Sequence, residues 1–218
     1  MDWEKLYFLI DIDGTITDYH GEIKSSFVLE FIQRVMVERG MTEEDAAAKI
    51  REATHNVLRW DYSELIFGNF LPWDETVRAI KAEHQKMLRV HTDTVQMIRS
   101  LHDNGAKLHI ISNNPYWGCR WKLERAGLDP AIFRQIFCTD FNGGCKSSPD
   151  VWKFVLPRLG TEAKNVITVG DDLNEDGLIP QKFGVGHSFI LKHGRNIPSP
   201  NANISCIENA TKIVEVCH

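Results

Sequence analysis

Short, nearly continuous apolar runs recur along the chain, and most of them are followed by a stretch with helical spacing. The runs are Leu6–Ile10, Leu108–Ile111, Ile136–Cys138, Val166–Val169 and His187–Leu191. Strands of a parallel sheet are buried on both faces and therefore appear as continuous apolar runs rather than alternating ones. Strands that alternate with helices indicate a parallel sheet. The pattern predicts an α/β protein with a Rossmann-like parallel sheet core and helices on both faces.

A long segment with helical spacing separates the first apolar run from the others. Apolar positions recur at helical intervals before Gly40, Thr42 is a candidate N-cap for a second helix, and Asp74 can begin a third that continues to about Val90. We therefore expect a small α-helical domain inserted into the core. The predicted boundaries are 17–92 for this inserted domain, and 1–16 together with 93–218 for the core.

The second half of the chain contains clear helix and loop signals between its apolar runs. A helix is predicted to begin at Thr92 or Asp93, another at Pro115, and a third near Pro149 that Pro157 should end or kink. The other expected elements are a loop at 140–148, a loop at 194–204, and a last helix marked by Ile207, Ala210, Ile213 and Val214.

Composition places the chain among ordinary globular proteins. It has 218 residues, 43% hydrophobic and 25% charged, and the net charge of −5 argues against a general nucleic-acid binder. No apolar run approaches the roughly 20 residues of a membrane span, and the first residues do not form a signal peptide. Five cysteines without CxxC spacing favour free thiols. We expect a cytoplasmic protein without nucleic-acid or membrane partners, whose oligomeric state the sequence leaves open.

Two carboxylates follow the first apolar run at alternate positions. Asp11 and Asp13 flank Ile12, so in an extended chain both acids point to one side. Gly14 allows a sharp turn, and Thr15 adds a hydroxyl. Ligands of open parallel sheets bind beyond the carboxyl ends of the strands. Two acids at that place can hold a hard cation, or one can attack a substrate while the other moves protons.

Other strands also end in polar groups. Ser112 follows the second run, with the backbone N–H groups of Asn113 and Asn114 beside it, and two acids follow the fourth run at Asp171 and Asp172. Lys146 lies between these strands, on a loop before a helix. The sequence thus predicts acids, a hydroxyl and an ammonium group around one pocket, although Ser112 could instead cap a helix and Lys146 could be a solvated loop residue.

Together these segments resemble the four motifs of the haloacid dehalogenase superfamily. They are Asp11-Ile-Asp13-Gly-Thr, the serine at 112, the lysine at 146, and Gly170-Asp171-Asp172-Leu-Asn-Glu175-Asp176. The resemblance extends from about Leu6 to Leu191, and the helical segment is similar to the cap that this family inserts between its first and second motifs.

The resemblance implies a magnesium-dependent phosphatase acting on a small phosphorylated metabolite. Asp11 would attack phosphorus and form an aspartyl-phosphate. Asp13 would protonate the leaving oxygen and then help to deprotonate the hydrolytic water. The implied Mg²⁺ ligands are the Asp11 carboxylate, the Asp13 backbone carbonyl and Asp171, which suits the preference of Mg²⁺ for hard oxygen ligands.

The same resemblance implies the remaining site residues. Ser112, the N–H of Asn113 and Lys146 would bind phosphate oxygens. Residues that would support the metal ligands are Thr15, Asp172 and Asp176, with Glu175 as a further candidate. The lysine is the least secure assignment, because family members often have Pro directly after it and this chain has Ser147. Lys153 and Lys122 are the alternatives.

Other functions use similar groups. A haloacid dehalogenase needs no second acid, so Asp13 argues for phosphoryl transfer. A phosphomutase of the same superfamily uses the same groups, and product analysis would separate it from a phosphatase. A non-enzymatic phospho-acceptor would be expected to carry its phosphorylated aspartate on a middle strand and to lack the large helical insert.

Overall fold

A computed structural model describes residues 2–19, 33, 34, 36–54, 88–142 and 144–217. The chain divides into two compact units, one of Met1–Asp18 with Val90–His218 and the other of Tyr19–Arg89. Much of the second unit, including most of the predicted cap helices, lies outside the described residues. The assignment of a cap and its boundaries at 17–92 therefore stay predictions.

The described strands form two sheets. In the larger sheet six strands run parallel in the order β5-β4-β1-β6-β7-β8, and β2 pairs with β3 in a separate two-stranded sheet. The strands are β1 Tyr7–Ile10, β2 Thr17–Tyr19, β3 Leu88–Val90, β4 Lys107–Ile111, β5 Gln135–Phe137, β6 Val166–Gly170, β7 His187–Leu191 and β8 Ile204–Ile207.

Helices connect most of the parallel strands. The helices with both ends among the described residues are α1 Glu43–Thr54, α2 Thr92–Asp103, α3 Tyr116–Arg125, α4 Thr139–Asn142, α5 Pro149–Arg158, α6 Ile179–Gln181 and α7 Lys212–Val216. Single 3₁₀ turns occur at Trp3–Lys5, Pro130–Ile132 and Ala163–Asn165, and a π-helical turn at Leu173–Leu178. No helix in this part of the chain is both long and apolar enough to cross a membrane.

The large sheet is covered by apolar residues on both faces. Phe8 and Ile10 of β1 pack into one buried cluster with residues of α2, α3 and α7, whereas Leu9 packs into a second cluster with residues of α5. Successive strand residues point to opposite faces, which is why neighbouring residues of β1 belong to different clusters. The predicted α/β fold with a Rossmann-like parallel sheet is confirmed.

Local signals placed several helix ends correctly. The Thr42 hydroxyl accepts a hydrogen bond from the backbone N–H of Asp45 at 3.1 Å, so Thr42 caps α1 as predicted. Helix α2 begins at Thr92, and α3 begins directly after Pro115. Helix α5 ends one residue beyond Pro157, as the missing proline N–H would suggest.

Three predicted elements were wrong. Leu88–Val90 is a strand rather than the end of a helix, and Ile204–Ile207 is a strand rather than part of a loop and of the last helix. Both are short segments with weak apolar patterns, and their extended form depends on pairing with distant strands. Residues 139–142 form a short helix where the loop at 140–148 was expected to begin.

A buried histidine lies in the middle of β4. His109 is 3% exposed, its ring is stacked between those of Tyr7 and Phe137, and neither ring nitrogen has a hydrogen-bond partner among the described residues. Burial, helped by the charges of Arg134 and Lys107, lowers the pKa of His109 to about 4. The protein therefore folds with this ring neutral.

This histidine should make the fold sensitive to acid. Between pH 6.5 and about 4 the unfolded chain binds a proton at His109 that the folded chain does not, so stability falls as pH falls across this window. The loss is on the order of 1 kcal/mol per pH unit. We expect His109→Phe to keep its stability at pH 7.5 and to have a shallower loss below pH 6.5 in urea unfolding.

The exposed residue His102 provides the matched control, as His102→Gln should follow the wild-type curve. Burial also lowers the pKa of His187, which remains in both variants and adds a loss in the same direction. An unchanged pH dependence in His109→Phe would show that this buried ring does not limit acid stability.

Candidate active site

The polar residues predicted at the strand ends meet at one edge of the large sheet. β4, β1 and β6 are neighbours and run parallel, so the residues that follow them emerge side by side. Asp11 directly follows β1, Ser112 follows β4, and Asp171 follows β6. Lys146 precedes α5 and reaches the same edge. The structure thus brings together groups that lie far apart in sequence.

Asp11 is buried, and each of its carboxylate oxygens accepts a hydrogen bond. Its Oδ1 accepts from the Lys146 Nζ at 2.6 Å, and its Oδ2 accepts from the Thr15 hydroxyl at 3.3 Å. Burial raises the pKa of Asp11, and the negative charges of Asp176 and other nearby acids add to this, so that the pKa lies well above its ordinary value despite Lys146. The Asp11 carboxylate therefore lies close to several other negative charges, which disfavour its ionised form.

Lys146 links Asp11 to a second buried acid. Its Nζ donates to Asp11 and, at 2.7 Å, to Asp176 Oδ1. Its backbone is held as well, because its N–H donates to Asn113 Oδ1 and its carbonyl accepts from the Trp152 indole N–H. Burial would lower the pKa of Lys146, but the two carboxylates outweigh burial and raise it. This lysine is a fixed positive charge at neutral pH.

The three candidate lysines have different surroundings. Lys146 contacts Asp11, Lys122 contacts Asp13, and Lys153 lies exposed on α5 in an ion pair with Asp150. Of these lysines, the geometry favours Lys146 as the one beside the predicted nucleophile.

Three acids form a cluster that could hold a metal ion. Asp11, Asp171 and Asp176 each offer a carboxylate oxygen, and these oxygens lie within 4.8 Å of one another. Burial and the charge of Asp176 raise the pKa of Asp171 to about 6, although Arg195 opposes this. Asp176, predicted only to support the ligands, thus lies with the candidate ligands themselves.

Two glycines allow this cluster to form. A Cβ atom at Gly14 would lie 2.4 Å from Cγ of Asp171, and Gly14 also has a φ of +74°. A Cβ atom at Gly170 would lie 2.0 Å from Oδ2 of Asp176. Real Cβ contacts are not this short, so a larger residue at either position would displace an acid of the cluster.

Asp13 belongs to a different hydrogen-bonded group from Asp11. Its Oδ1 accepts from the Lys122 Nζ at 2.5 Å, and its Oδ2 accepts from the Asn114 side-chain amide. Burial raises the pKa of Asp13, but Lys122 and the hydrogen bonds outweigh burial and hold it below its ordinary value. The two acids of the first motif therefore have opposite pKa shifts.

The predicted phosphate-binding residues after β4 also take part in local hydrogen bonds. The Ser112 hydroxyl accepts from the Asn114 backbone N–H at 3.2 Å and from its side-chain amide at 2.7 Å. The Asn113 side chain accepts from the Lys146 N–H and donates to Glu175 Oε2 at 2.7 Å. Asn113 thus ties the loops of the second, third and fourth motifs together.

Asp172 shapes the turn that carries Asp176. Its Oδ1 accepts from the N–H groups of Asn174 and Glu175, each at 2.8 Å. Its own N–H donates to Asp176 Oδ2 at 3.2 Å. Asp172 is therefore outside the acidic cluster, where it caps the π-helical turn and orients a member of that cluster.

Sequence reasoning missed several residues at the site. Asn114 was noted only for its backbone N–H, and Lys122 only as an alternative phosphate ligand. Arg195 donates to the Asp171 carbonyl at 2.9 Å and to its Oδ2 at 3.2 Å, and His193 Nε2 lies 2.7 Å from the Gly14 carbonyl oxygen. The last two follow β7 in a segment without any motif, so their placement depends on the fold.

Comparison with known proteins agrees with this arrangement. The model of the haloacid dehalogenase-like hydrolase family matches residues 7–184, and the chain belongs to this family. The family resemblance and the expectation of a hydrolase are both confirmed.

Individual proteins and structures are similar to the chain at low sequence identity. The chain is 25% identical over 187 residues to the pyrophosphatase PpaX of Listeria monocytogenes, which covers 84% of this chain and 83% of that protein. It is 26% identical over 134 residues to the glyceraldehyde 3-phosphate phosphatase of Methanocaldococcus jannaschii, covering 61% and 58%. The crystal structure of a HAD phosphatase from Thermococcus onnurineus has a TM-score of 0.70 at 21% identity and covers 97% of each chain.

Proposed function

We propose that the protein is a magnesium-dependent phosphatase that hydrolyses a small phosphorylated metabolite through an aspartyl-phosphate on Asp11. The observation that carries this proposal is the buried contact of the Lys146 ammonium with Asp11, which is one of three clustered acids. The similarity to proteins named as a pyrophosphatase and a glyceraldehyde 3-phosphate phosphatase supports phosphate esters or anhydrides as the substrate class.

In this proposal Asp11 is the nucleophile. One of its carboxylate oxygens attacks phosphorus, the bond from phosphorus to the leaving oxygen breaks, and Asp13 supplies the proton that the leaving oxygen needs. Water then gives a proton to Asp13 and attacks the phosphorus of the aspartyl-phosphate, which frees inorganic phosphate and restores the Asp11 carboxylate. Lys146 offsets negative charge at the attacking carboxylate and at the phosphate oxygens.

The acidic cluster fits a hard divalent cation. Its donors are all carboxylate oxygens, and these oxygens lie within 4.8 Å of one another. Asp11, Asp171 and Asp176 would hold the ion, with the backbone carbonyl of Asp13 as a further ligand. When bound, Mg²⁺ would offset the repulsion between the substrate phosphate and the nucleophile.

Phosphate oxygens would be bound by residues of the second and third motifs. Lys146 offers an ammonium, Ser112 a hydroxyl and Asn113 a backbone N–H, as the family resemblance implies. The Ser112 oxygen already accepts two hydrogen bonds from Asn114, so its own proton can be directed to a phosphate oxygen. Asn113 would act through its backbone, since its side chain holds the loops together.

Phosphate release from a panel of substrates tests the proposal. The panel contains p-nitrophenyl phosphate, pyrophosphate, glyceraldehyde 3-phosphate and sugar phosphates, each with Mg²⁺ or with EDTA. We expect release with Mg²⁺, loss with EDTA and recovery when Mg²⁺ is restored. Equal rates in EDTA would contradict the metal requirement, and a rearranged sugar phosphate without phosphate release would identify a mutase.

A further inference from the structure

A second buried lysine lies at the site beside Asp13. Lys122, on α3, is 4% exposed, and its Nζ lies 2.5 Å from Asp13 Oδ1 and 3.0 Å from Asn114 Oδ1. Moving an ammonium group out of water is costly unless charged and polar partners replace the water. An apolar residue would have filled this position on α3 without that cost, so the presence of a lysine needs an explanation.

The hydrogen-bond directions around Asp13 are fixed by Lys122. An ammonium can only donate, so the Asn114 atom that faces Lys122 is its oxygen, and the amide nitrogen of Asn114 faces Asp13. Both carboxylate oxygens of Asp13 consequently accept, one from each neighbour. Two donors on different oxygens fix the plane of the carboxylate as well as its position.

This arrangement leaves Asp13 able to take up a proton. Each carboxylate oxygen has two acceptor positions, and among the described residues one donor is seen at each oxygen of Asp13. The side chain of Asp13 is 33% exposed, whereas that of Lys122 is 5% exposed. Asp13 thus presents an accessible edge while the lysine behind it stays covered.

We propose that Lys122 is a positioning residue: with Asn114 it holds Asp13 in the orientation that accepts a proton from the hydrolytic water. This inference rests on the phosphatase function proposed above. In the step concerned, an O–H bond of water breaks and its proton goes to Asp13. The water oxygen bonds to phosphorus, and the bond from phosphorus to Asp11 breaks with its electron pair returning to the Asp11 carboxylate.

The two half-reactions place different demands on Asp13. With p-nitrophenyl phosphate the leaving group departs without much help from an acid, so formation of the aspartyl-phosphate needs Asp13 little. Hydrolysis of the intermediate still needs a base for the water. A positioning role for Lys122 therefore predicts damage to the second half-reaction, whereas a purely structural ion pair would affect both alike.

Rapid-quench kinetics on Lys122→Met with Mg²⁺ tests this directly. Nitrophenolate release reports formation of the intermediate, and loss of acid-stable phosphoprotein reports its hydrolysis. We expect hydrolysis to slow by about tenfold to a hundredfold, a part of the effect typical of general acid–base catalysis, and phosphoprotein to accumulate. Formation of the intermediate should stay within about threefold of wild type, since it needs little proton transfer with this substrate.

Two further variants test the same inference. Lys122→Arg keeps a cationic donor and should recover part of the hydrolysis rate. Asn114→Ala removes the other donor to Asp13 together with one hydrogen bond to the Ser112 hydroxyl, so we expect it to slow hydrolysis more than formation of the intermediate. This variant keeps the inference testable if Lys122→Met does not fold. Lys153→Met removes an exposed lysine and should leave both rates unchanged.

Different failures lead to different conclusions. Parallel losses in both half-reactions, or no loss in either, would overturn the positioning role while the phosphatase function stands. A wild-type protein that neither releases nitrophenolate nor forms a phosphoprotein would overturn the proposed function and this inference with it.

Discussion

The Asp11→Asn variant is expected to lose phosphoester hydrolysis by a factor on the order of 10⁴ or more, as is usual when a covalent nucleophile is removed. An amide oxygen is a far weaker nucleophile than a carboxylate oxygen. Among the described contacts, Asp11 is the acid that accepts hydrogen bonds from both Lys146 and Thr15, so no second acid takes its place there. Steady-state phosphate release from p-nitrophenyl phosphate measures the loss.

This variant should fold normally. An asparagine has the same shape as Asp11, its oxygen can still accept from Lys146, and its amide can donate to the Thr15 hydroxyl. The substitution also removes one charge from a crowded acidic cluster. We expect the free energy of unfolding to change by about 1 kcal/mol or less.

The exposed acid Asp150 provides the control for Asp11. Asp150→Asn removes a carboxylate of the same type at the surface of α5 and should retain full activity. A folded Asp11→Asn protein with near-normal turnover would remove Asp11 from the mechanism.

The Lys146→Met variant is expected to lose both stability and phosphate binding. Removing one partner of a buried ion pair typically costs about 3–5 kcal/mol, because the remaining charges stay buried without compensation. Here two carboxylates, those of Asp11 and Asp176, would lose their shared ammonium. Urea unfolding in EDTA measures the stability, and the apparent KM for p-nitrophenyl phosphate measures the weaker binding.

The exposed residue Lys153 provides the control that separates the loss of stability and binding from the loss of a positive charge alone. Lys153→Met should unfold at the wild-type urea concentration, since exposed ion pairs contribute little. If Lys146→Met keeps wild-type stability and an unchanged KM and kcat, the phosphate-binding role would have to pass to another lysine, and Lys122 would be the nearest alternative by its contact with Asp13.

The parallel sheet was predictable because its central strands carry their own signal. β1 is apolar throughout, and β4 and β6 each contain two adjacent β-branched aliphatic residues, so the burial of these strands follows from local sequence. The two aliphatic residues of β8 are separated by Ser205 and Cys206, and the extended form of this strand depends on its pairing with β7. The extended conformation of such an edge strand depends on tertiary contacts, which cannot be read from the local sequence pattern.

The sequence could predict those residues of the candidate site that directly follow a strand. Asp11, Ser112 and Asp171 each lie directly after a strand, so a parallel sheet brings them to one edge. The partner of Asp13 could not be found in this way. Lys122 is 109 residues away in sequence, and its contact depends on how α3 packs against the sheet.

Trapping the covalent intermediate shows which residue is the nucleophile. The protein is quenched with acid during turnover of p-nitrophenyl phosphate, acyl phosphates are reduced with borohydride, and peptide fragmentation locates the modified residue. We expect a single modified aspartate at position 11 and none in Asp11→Asn. Modification of Asp13, Asp171 or Asp176 instead, or turnover without any trapped aspartate, would contradict the role of Asp11 as the nucleophile.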